Sequence, residues 1–337
     1  SIRTRPSPEC PQCGCAGTVL YEQVPDLLGL SDGCWRIDAC ANADCGMLWL
    51  DPMPIPEDIG LAYRGYYTHG AEPDGFVRRV YRKLRSGYLA SRLGYREAQR
   101  SPWWRVLGRL AGLVPHVGAQ FAFSAMWLRA NPGGALLEIG SGRGDQLQLF
   151  QTLGWQADGL DFDAAAVDAA RRRGLRVMHG PLKNQDVPSG RYDAVVMSHV
   201  IEHLFDPAET VRECLRVLRP GGTLVVVTPN SSSFGRRHFQ QSWLALDPPR
   251  HLMLFRPDNL GRLVRSAGFS QVRWFTSMRN GNWVMGASAQ IRRHGKFEFG
   301  NLPLTLRLYG LLLMYFEWLL LAFRKDAGEE IVLIATR

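Results

Sequence analysis

The ten residues LLEIGSGRGD, at positions 136–145, decide how this chain is read. An apolar run carrying one carboxylate, Glu138, passes into a turn with glycine at 140, 142 and 144. Glycines there let the backbone bend tightly and approach a ligand closely. A helix predicted from Asp145 to Leu153 would then point free N–H groups at the turn, which favours an anionic group. Alone, the turn is also what any tight strand-to-helix connection needs. A second predicted strand, QADGL at 156–160, leads into Asp161, 21 residues after Gly140. An acid at that place can accept hydrogen bonds from both hydroxyls of a ribose. No Gly-Lys-Ser/Thr follows the turn, which excludes a phosphate-binding P-loop. A dinucleotide dehydrogenase is the competing use of such a turn, and it would prefer GxGxxG.

Outward from the turn, strands alternate with helices. Strands are predicted at ALLEI (135–139), QADGL, LRVM (175–178), YDAVVMS (192–198), TLVVVT (223–228), QVRWF (271–275) and the terminal EEIVLIATR. Helices are predicted over Ala164–Arg173, Pro207–Leu218 and Arg256–Ala267, with RPGG (219–222) as a turn. Wholly apolar strands separated by helices argue an α/β fold with a parallel sheet covered on both faces. The chain divides into a cysteine-rich unit (1–55), a basic helical arm (56–130), the α/β core (131–276), an apolar helical insertion (277–326) and the last strand (327–337).

The 337 residues are 46% hydrophobic and 21% charged, which excludes a disordered or fibrous chain. Six of the seven cysteines lie between Cys10 and Cys45. Cys10-Pro-Gln-Cys13-Gly and Cys40-Ala-Asn-Ala-Asp-Cys45-Gly form two thiolate pairs, 26 residues apart, that can close a tetrahedral zinc site. Four ligands fill the coordination sphere, so such a zinc is structural. Cys15 and Cys34 are rival ligands or small apolar residues. The opening SIRTRPSPEC has no apolar signal region, so the cytosol is the expected compartment.

The net charge is +9, and it is local. Phe76–Leu110 holds ten basic residues against one acid, Glu97, and the rest of the chain is neutral. These basic residues interleave with Tyr81, Tyr88, Tyr95, Trp103 and Trp104. A solvated helix face, a grip on an acidic substrate or lipid pyrophosphate, and an anionic membrane surface all fit. Leu302–Phe323 has only Arg307 and Glu317 charged, and is long enough to span a bilayer. One crossing would strand EEIVLIATR on the wrong side of the sheet, so a helix with a wide apolar face is expected instead. Arg307, Gly310, Met314 and Glu317 share an arc of about 80° at 3.6 residues per turn. The apolar remainder suits a membrane interface, a lipid-like substrate or a dimer contact.

LLEIGSGRGD, Asp161, YDAVVMSHVIEHL and LRVLRPGGTLVVVTPN together resemble the class I S-adenosylmethionine-dependent methyltransferases, over residues 131–276 and again in the last strand. The resemblance implies a Rossmann-like seven-stranded sheet. It implies that Glu138, Gly140, Ser141 and Gly142 hold the amino-acid part of the cofactor, that Asp161 binds its ribose and that Phe162 packs on its adenine. Gly180–Leu182 would lie near the adenine, with Leu182 supplying an apolar contact, and Ser198 and His199 would approach the methionine end. The cysteine unit ahead of this core, with MLWLDPMPIPEDIGLAYRGYY after it, resembles a zinc-ribbon branch that includes sugar C-methyltransferases.

Methyl transfer is an in-line displacement, so the protein mainly orients a nucleophile and removes its proton. A histidine suits that task. His251, His199 and His203 are the candidates, with Glu202 beside them in sequence. In the resembling branch a histidine in the segment matching DPPRHLMLF is the base, which favours His251. Glu202-His203 reads equally as a structural pair, and Tyr63, Tyr66 and Tyr67 could close over a substrate. The expected acceptor is a small molecule, a sugar or a lipid-linked group. Zinc-ribbon RNA binding, RNA methylation and a non-catalytic cofactor-binding scaffold are the alternatives; against nucleic acid, the arginines form no recognisable RNA-binding motif.

Overall fold

The computed structural model describes residues 2–63, 75–96 and 101–337. Tyr66, Tyr67, Glu97 and Arg100 lie outside the described residues. The cysteine-rich segment forms short strands, β1 (Thr4–Arg5), β2 (Gly17–Pro25), β3 (Cys34–Cys40), β4 (Leu48–Leu50) and β5 (Met53–Pro54). Three helices follow, α1 (Phe76–Arg92), α2 (Pro102–Ala111) and α3 (Pro115–Phe123). The core then alternates β6 (Ala135–Ile139), α4 (Asp145–Thr152), β7 (Gln156–Asp161), α5 (Ala164–Arg172), β8 (Val177–His179), β9 (Tyr192–Ser198), α6 (Pro207–Val217) and β10 (Leu218–Pro229). After it come α7 (Phe234–Phe239), β11 (Met253–Leu254), α8 (Pro257–Ser266), β12 (Ser270–Ser277), α9 (Gly281–His294), α10 (Leu304–Leu320) and β13 (Glu330–Thr336).

The core sheet has seven strands in the order β12-β13-β10-β9-β6-β7-β8. All pairings from β8 to β10 are parallel, and β13 inserts antiparallel between β10 and β12. The chain steps outward from β6 to β8 and then returns to lay β9 on the other side of β6. That reversal makes a crevice at the carboxyl ends of β6 and β9, where ligands bind in open α/β sheets. Local chemistry sets the helix starts. Asp163 accepts from the Ala165 N–H before α5, and Asp206 from the Glu209 N–H before α6, where Pro207 occupies the first turn. RPGG falls within β10, whose ladder to β9 breaks between Leu218 and Thr223. The expected turn survives as that irregularity.

Met253–Leu254 lies far along the chain, yet β11 is the fourth strand of the cysteine-rich sheet, ordered β11-β4-β3-β2. Trp49 and Leu50 join Leu252, Met253 and Phe255 in one hydrophobic core that continues to Val226 and Leu333 of the large sheet. The cysteine unit and the α/β core therefore share an interior.

The insertion before β13 is a pair of packed helices. Gly310 and Gly286 allow the contact: a Cβ on Gly310 would sit 2.1 Å from the Asn282 carbonyl oxygen. Leu306, Gly310, Met314 and Glu317 are the buried residues of α10. The narrow stripe of the helix packs inward, Arg307 stays exposed, and the apolar remainder faces out. Glu317 accepts the Glu329 N–H at 3.0 Å, and Trp243 Nε1 donates to Glu329 at 2.9 Å. Burial pushes Glu329 up to about 7 and Glu317 well above the usual range. Among the described residues no helix is long and apolar enough to cross a membrane.

Candidate active site and metal centre

The crevice begins at the glycine turn. Gly140, Gly142 and Gly144 all have positive φ, at 77°, 52° and 83°. A side chain at 140 would strike Val200, which covers the turn from the segment after β9, whereas a Cβ on Gly142 would meet nothing within 4 Å. The Gly142 N–H donates to Asp161 Oδ2 at 2.7 Å, and the Asp163 N–H to Oδ1 at 2.9 Å. Asp161 thus ties the turn to the end of β7 and keeps lone pairs for further donors. Phe162 beside it is 53% exposed, an aromatic surface open to a ligand. Leu182 is 3% exposed and offers little surface to a ligand, because it packs into the core.

Glu138 Oε2 and Ser141 Oγ are buried without hydrogen-bond partners. Burial, reinforced by Asp161 and Asp145, pushes the Glu138 carboxyl well above its usual range. Buried polar groups are normally paired, so this turn has unmet capacity that a cationic or hydrogen-bonding ligand would fill. The residues fit the amino-acid and ribose ends of S-adenosylmethionine: Glu138, Ser141 and the turn for one, Asp161 for the other.

After β9 the chain turns sharply, with His199 in the left-handed region at φ 53°. A non-glycine residue there carries on the order of 1 kcal/mol of strain, which persists where surrounding contacts enforce it. Those contacts are ionic. His199 Nε2 lies 3.1 Å from Glu330 Oε1, and Nδ1 lies 3.4 Å from Glu202 Oε1. Arg279 grips Glu330 through Nε at 2.8 Å and Nη2 at 2.5 Å. Two carboxylates and one arginine leave a single negative charge, which a protonated His199 balances. Desolvation works against that proton, but Glu202 and Glu330 prevail and raise His199 to about 9. Glu202 is wholly buried and takes a 2.9 Å hydrogen bond from Thr228 Oγ1. Burial would raise its carboxyl, yet His199 and the neighbouring histidines hold it at about 2.

His203 and His251 differ from His199. Nδ1 of His251 lies 2.8 Å from the Ala245 carbonyl, and Nδ1 of His203 lies 2.9 Å from the Arg250 carbonyl. Carbonyls only accept, so each Nδ1 carries the proton and each Nε2 keeps its lone pair. Burial lowers both histidines, His203 to about 4. Both are neutral at physiological pH. His251 Nε2 is 4.0 Å from Glu202 Oε1, the two rings are 4.7 Å apart, and the Tyr63 hydroxyl sits 2.9 Å from His203 Nδ1. Donor atoms of Glu202, His203 and His251 lie within 4.8 Å of one another, a spacing that a divalent cation could also bridge.

Sequence reasoning missed the groups that hold this cluster. Arg250 is fully buried and bonds Asp26 at 2.5 Å, Asp247 at 2.6 Å and the Ala62 carbonyl at 3.0 Å. Asp26 is 224 residues away from it in sequence. Arg279 and Glu330 escaped notice for the same reason, since their meeting depends on the return of β13. An arginine directly after two prolines in DPPRH was the available signal for Arg250.

Cys10, Cys13, Cys40 and Cys45 converge, with all four sulfurs within 4.8 Å of one another. Sγ of Cys10 is 3.7 Å from that of Cys45, and Sγ of Cys13 is 3.4 Å from that of Cys40. Cys15 and Cys34 stand outside this quartet. N–H groups of Gln12 and Cys13 point at the Cys10 sulfur, and that of Asn42 at Cys40. Such donors stabilise thiolates, so the quartet could hold a zinc ion. Asn259 at the start of α8 donates to the Cys45 carbonyl at 2.9 Å, tying the second knuckle to the core. A groove of about 1000 Å³ lies between that knuckle and α8, on the cysteine side of the molecule and not at the glycine turn.

Residues 119–273 match the family described as Methyltransferase domain. A probable S-adenosylmethionine-dependent methyltransferase of Mycolicibacterium smegmatis is 44% identical over 104 residues, covering 30% of this chain and 40% of that one. One from Mycobacterium tuberculosis is 37% identical over 139 residues, covering 41% of this chain and 49% of that one. A ubiquinone biosynthesis O-methyltransferase of Alkalilimnicola ehrlichii is 29% identical over 143 residues, covering 40% and 57%. This chain spans 40–57% of the length of these relatives. With the strand order and the glycine turn, they identify the α/β core, residues 119–273, as a methyltransferase domain similar to those of S-adenosylmethionine-dependent methyltransferases.

Proposed function

We propose that the protein methylates a small, sugar or lipid-linked acceptor, with His251 as the general base. The observation that supports this most directly is the state of the histidines. His251 holds its Nδ1 proton on the Ala245 carbonyl with its Nε2 4.0 Å from buried Glu202, whereas Glu202 and Glu330 raise His199 to about 9. S-adenosylmethionine, when bound, supplies an electrophilic sulfonium methyl and its own leaving group. Glu138 and the glycine turn hold the amino-acid end, Asp161 the ribose and Phe162 the adenine. His251 takes the acceptor proton at Nε2, and the Glu202 carboxylate steadies the imidazolium that results. The cysteine quartet holds one structural zinc.

An untargeted comparison of metabolites and lipids, wild type against deletion, should yield the acceptor as a pair differing by one methylene. With that acceptor, His251→Gln lowers kcat by about 10²–10⁴-fold while calorimetric affinity for S-adenosylmethionine is unchanged. Full turnover by the variant would remove His251 from the role.

A second reading rests on the 4.8 Å convergence of Glu202, His203 and His251. A divalent cation there would orient or polarise the acceptor in place of base catalysis. Loss of turnover on treatment with a chelator, restored by added metal, would favour it; turnover indifferent to the chelator favours the base.

A further inference from the structure

Two helices far apart in sequence turn their apolar faces to solvent. On α2, Trp103, Leu107 and Leu110 fall within about 60° of one another at 3.6 residues per turn, and all are exposed, Trp103 at 76%. On α10, Leu308, Leu312 and Leu319 fall within about 40°, and all are exposed, Leu312 at 67%. An amphipathic helix of a globular protein normally buries that stripe. Here the opposite stripe of α10 is the buried one. The α2–α3 corner leads to α10. Exposed Leu113 and Val114 lead into α3, where His116 Nδ1 lies 3.1 Å from the Tyr315 hydroxyl of α10 with the rings edge to face. Exposed apolar faces of this size, linked by such a contact, mark an interaction site.

Charge selects the occupant. Helices α1 and α2 contain no acid, and the one acid of α10, Glu317, is buried. Arg79 and Lys83 on α1, Arg109 on α2 and Lys325 after α10 are exposed on the same elements; Arg324 is exposed too, but pairs with Asp326 at 3.3 Å. A second copy of the chain seated on the same face would bring basic rim against basic rim. An anionic bilayer supplies the complementary charge, an apolar layer for the leucines and an interface for Trp103 and Trp318.

We infer that α2, the α2–α3 corner and α10 form a docking surface for an anionic lipid bilayer. The surface leads to the crevice. Phe123, the last residue of α3, lies 3.5 Å under the Arg279 guanidinium, which holds Glu330 beside His199. Resting on the methyltransferase reading above, this placement deepens the substrate class to a lipid-borne acceptor.

The test is co-sedimentation of the full chain with vesicles of phosphatidylcholine alone or with one-quarter phosphatidylglycerol. Wild type pellets with the anionic vesicles, and high salt weakens it. Leu308→Glu/Leu312→Glu and, separately, Arg79→Glu/Arg109→Glu each weaken binding more than about tenfold, since each basic residue near the surface contributes measurably. These side chains are exposed, so thermal midpoint and calorimetric cofactor affinity stay at wild-type values. That cofactor measurement separates failure of the membrane surface from failure of the methyltransferase reading. Wild type left in the supernatant with anionic vesicles overturns the inference. So does a wild-type dimer that Leu308→Glu/Leu312→Glu makes monomeric without any vesicle binding, which would assign the face to a second copy.

Discussion

Histidines 199, 203 and 251 surround one buried carboxylate, yet they hold opposite charge states. His199 bridges Glu202 and Glu330, and their charges outweigh desolvation to raise it to about 9. His251 has Glu202 and Asp247 no nearer than 4.0 Å, and desolvation lowers it below its ordinary value. The difference gives a pH test of the base. A base works in its neutral form, so activity is present above its pKa and is lost as pH falls through it. With His251 as base, the acid limb of kcat/KM lies below about pH 6.5, the ordinary histidine value, and the profile is flat from there to pH 8. A limb near pH 9 would transfer the role to His199. The profile reports the free enzyme, so the expectation follows from the environments seen here.

At the scale of elements, what could be read from the sequence was what local chemistry determines. The helices predicted from Ala164 and Pro207 begin at those residues, and apolar runs become β6 and β9 at the expected ones. The glycine turn and Asp161 were legible because their partners lie close in the chain. Arg250 with Asp26, and β11 with β4, were not, because no local pattern names a partner some two hundred residues away. The orientation of α10 was hidden for another reason. Periodicity shows that a helix has two faces without saying which one packs, and the deciding feature is steric. Gly310 lets the helix approach α9 until its would-be Cβ lies 2.1 Å from the Asn282 carbonyl oxygen. Gly310→Ala gains about 1 kcal/mol of helix propensity but forces backbone apart, and overpacking costs about 1–3 kcal/mol. The net expectation is a lower thermal midpoint by scanning calorimetry. A raised midpoint would mean that α9 and α10 are not held this closely.

At the scale of the whole molecule, the cysteine-rich unit and the α/β core are one folding body. β11 completes the small sheet, Asn259 caps the second knuckle, and Arg250 bonds Asp26 on one side and Asp247 on the other. Breaking a buried ion network by removing one partner costs several kcal/mol, so loosening Asp26 would reach Arg250, and through its carbonyl His203. Zinc removal therefore has a defined signature. The purified chain is expected to carry one equivalent of zinc by elemental analysis. Cys40→Ser, which leaves three sulfur ligands, lowers both the zinc content and the midpoint of unfolding by several degrees. Because the hydrophobic core is continuous across the two parts, unfolding stays a single transition with and without metal, followed by calorimetry and by tryptophan fluorescence alike. Affinity for S-adenosylmethionine is expected to fall with the stability of the α/β core, not ahead of it. Two separated transitions, with the core unfolding at its original temperature after metal loss, would show that the knuckles are an independent appendage and that Arg250 does not carry the coupling assigned to it.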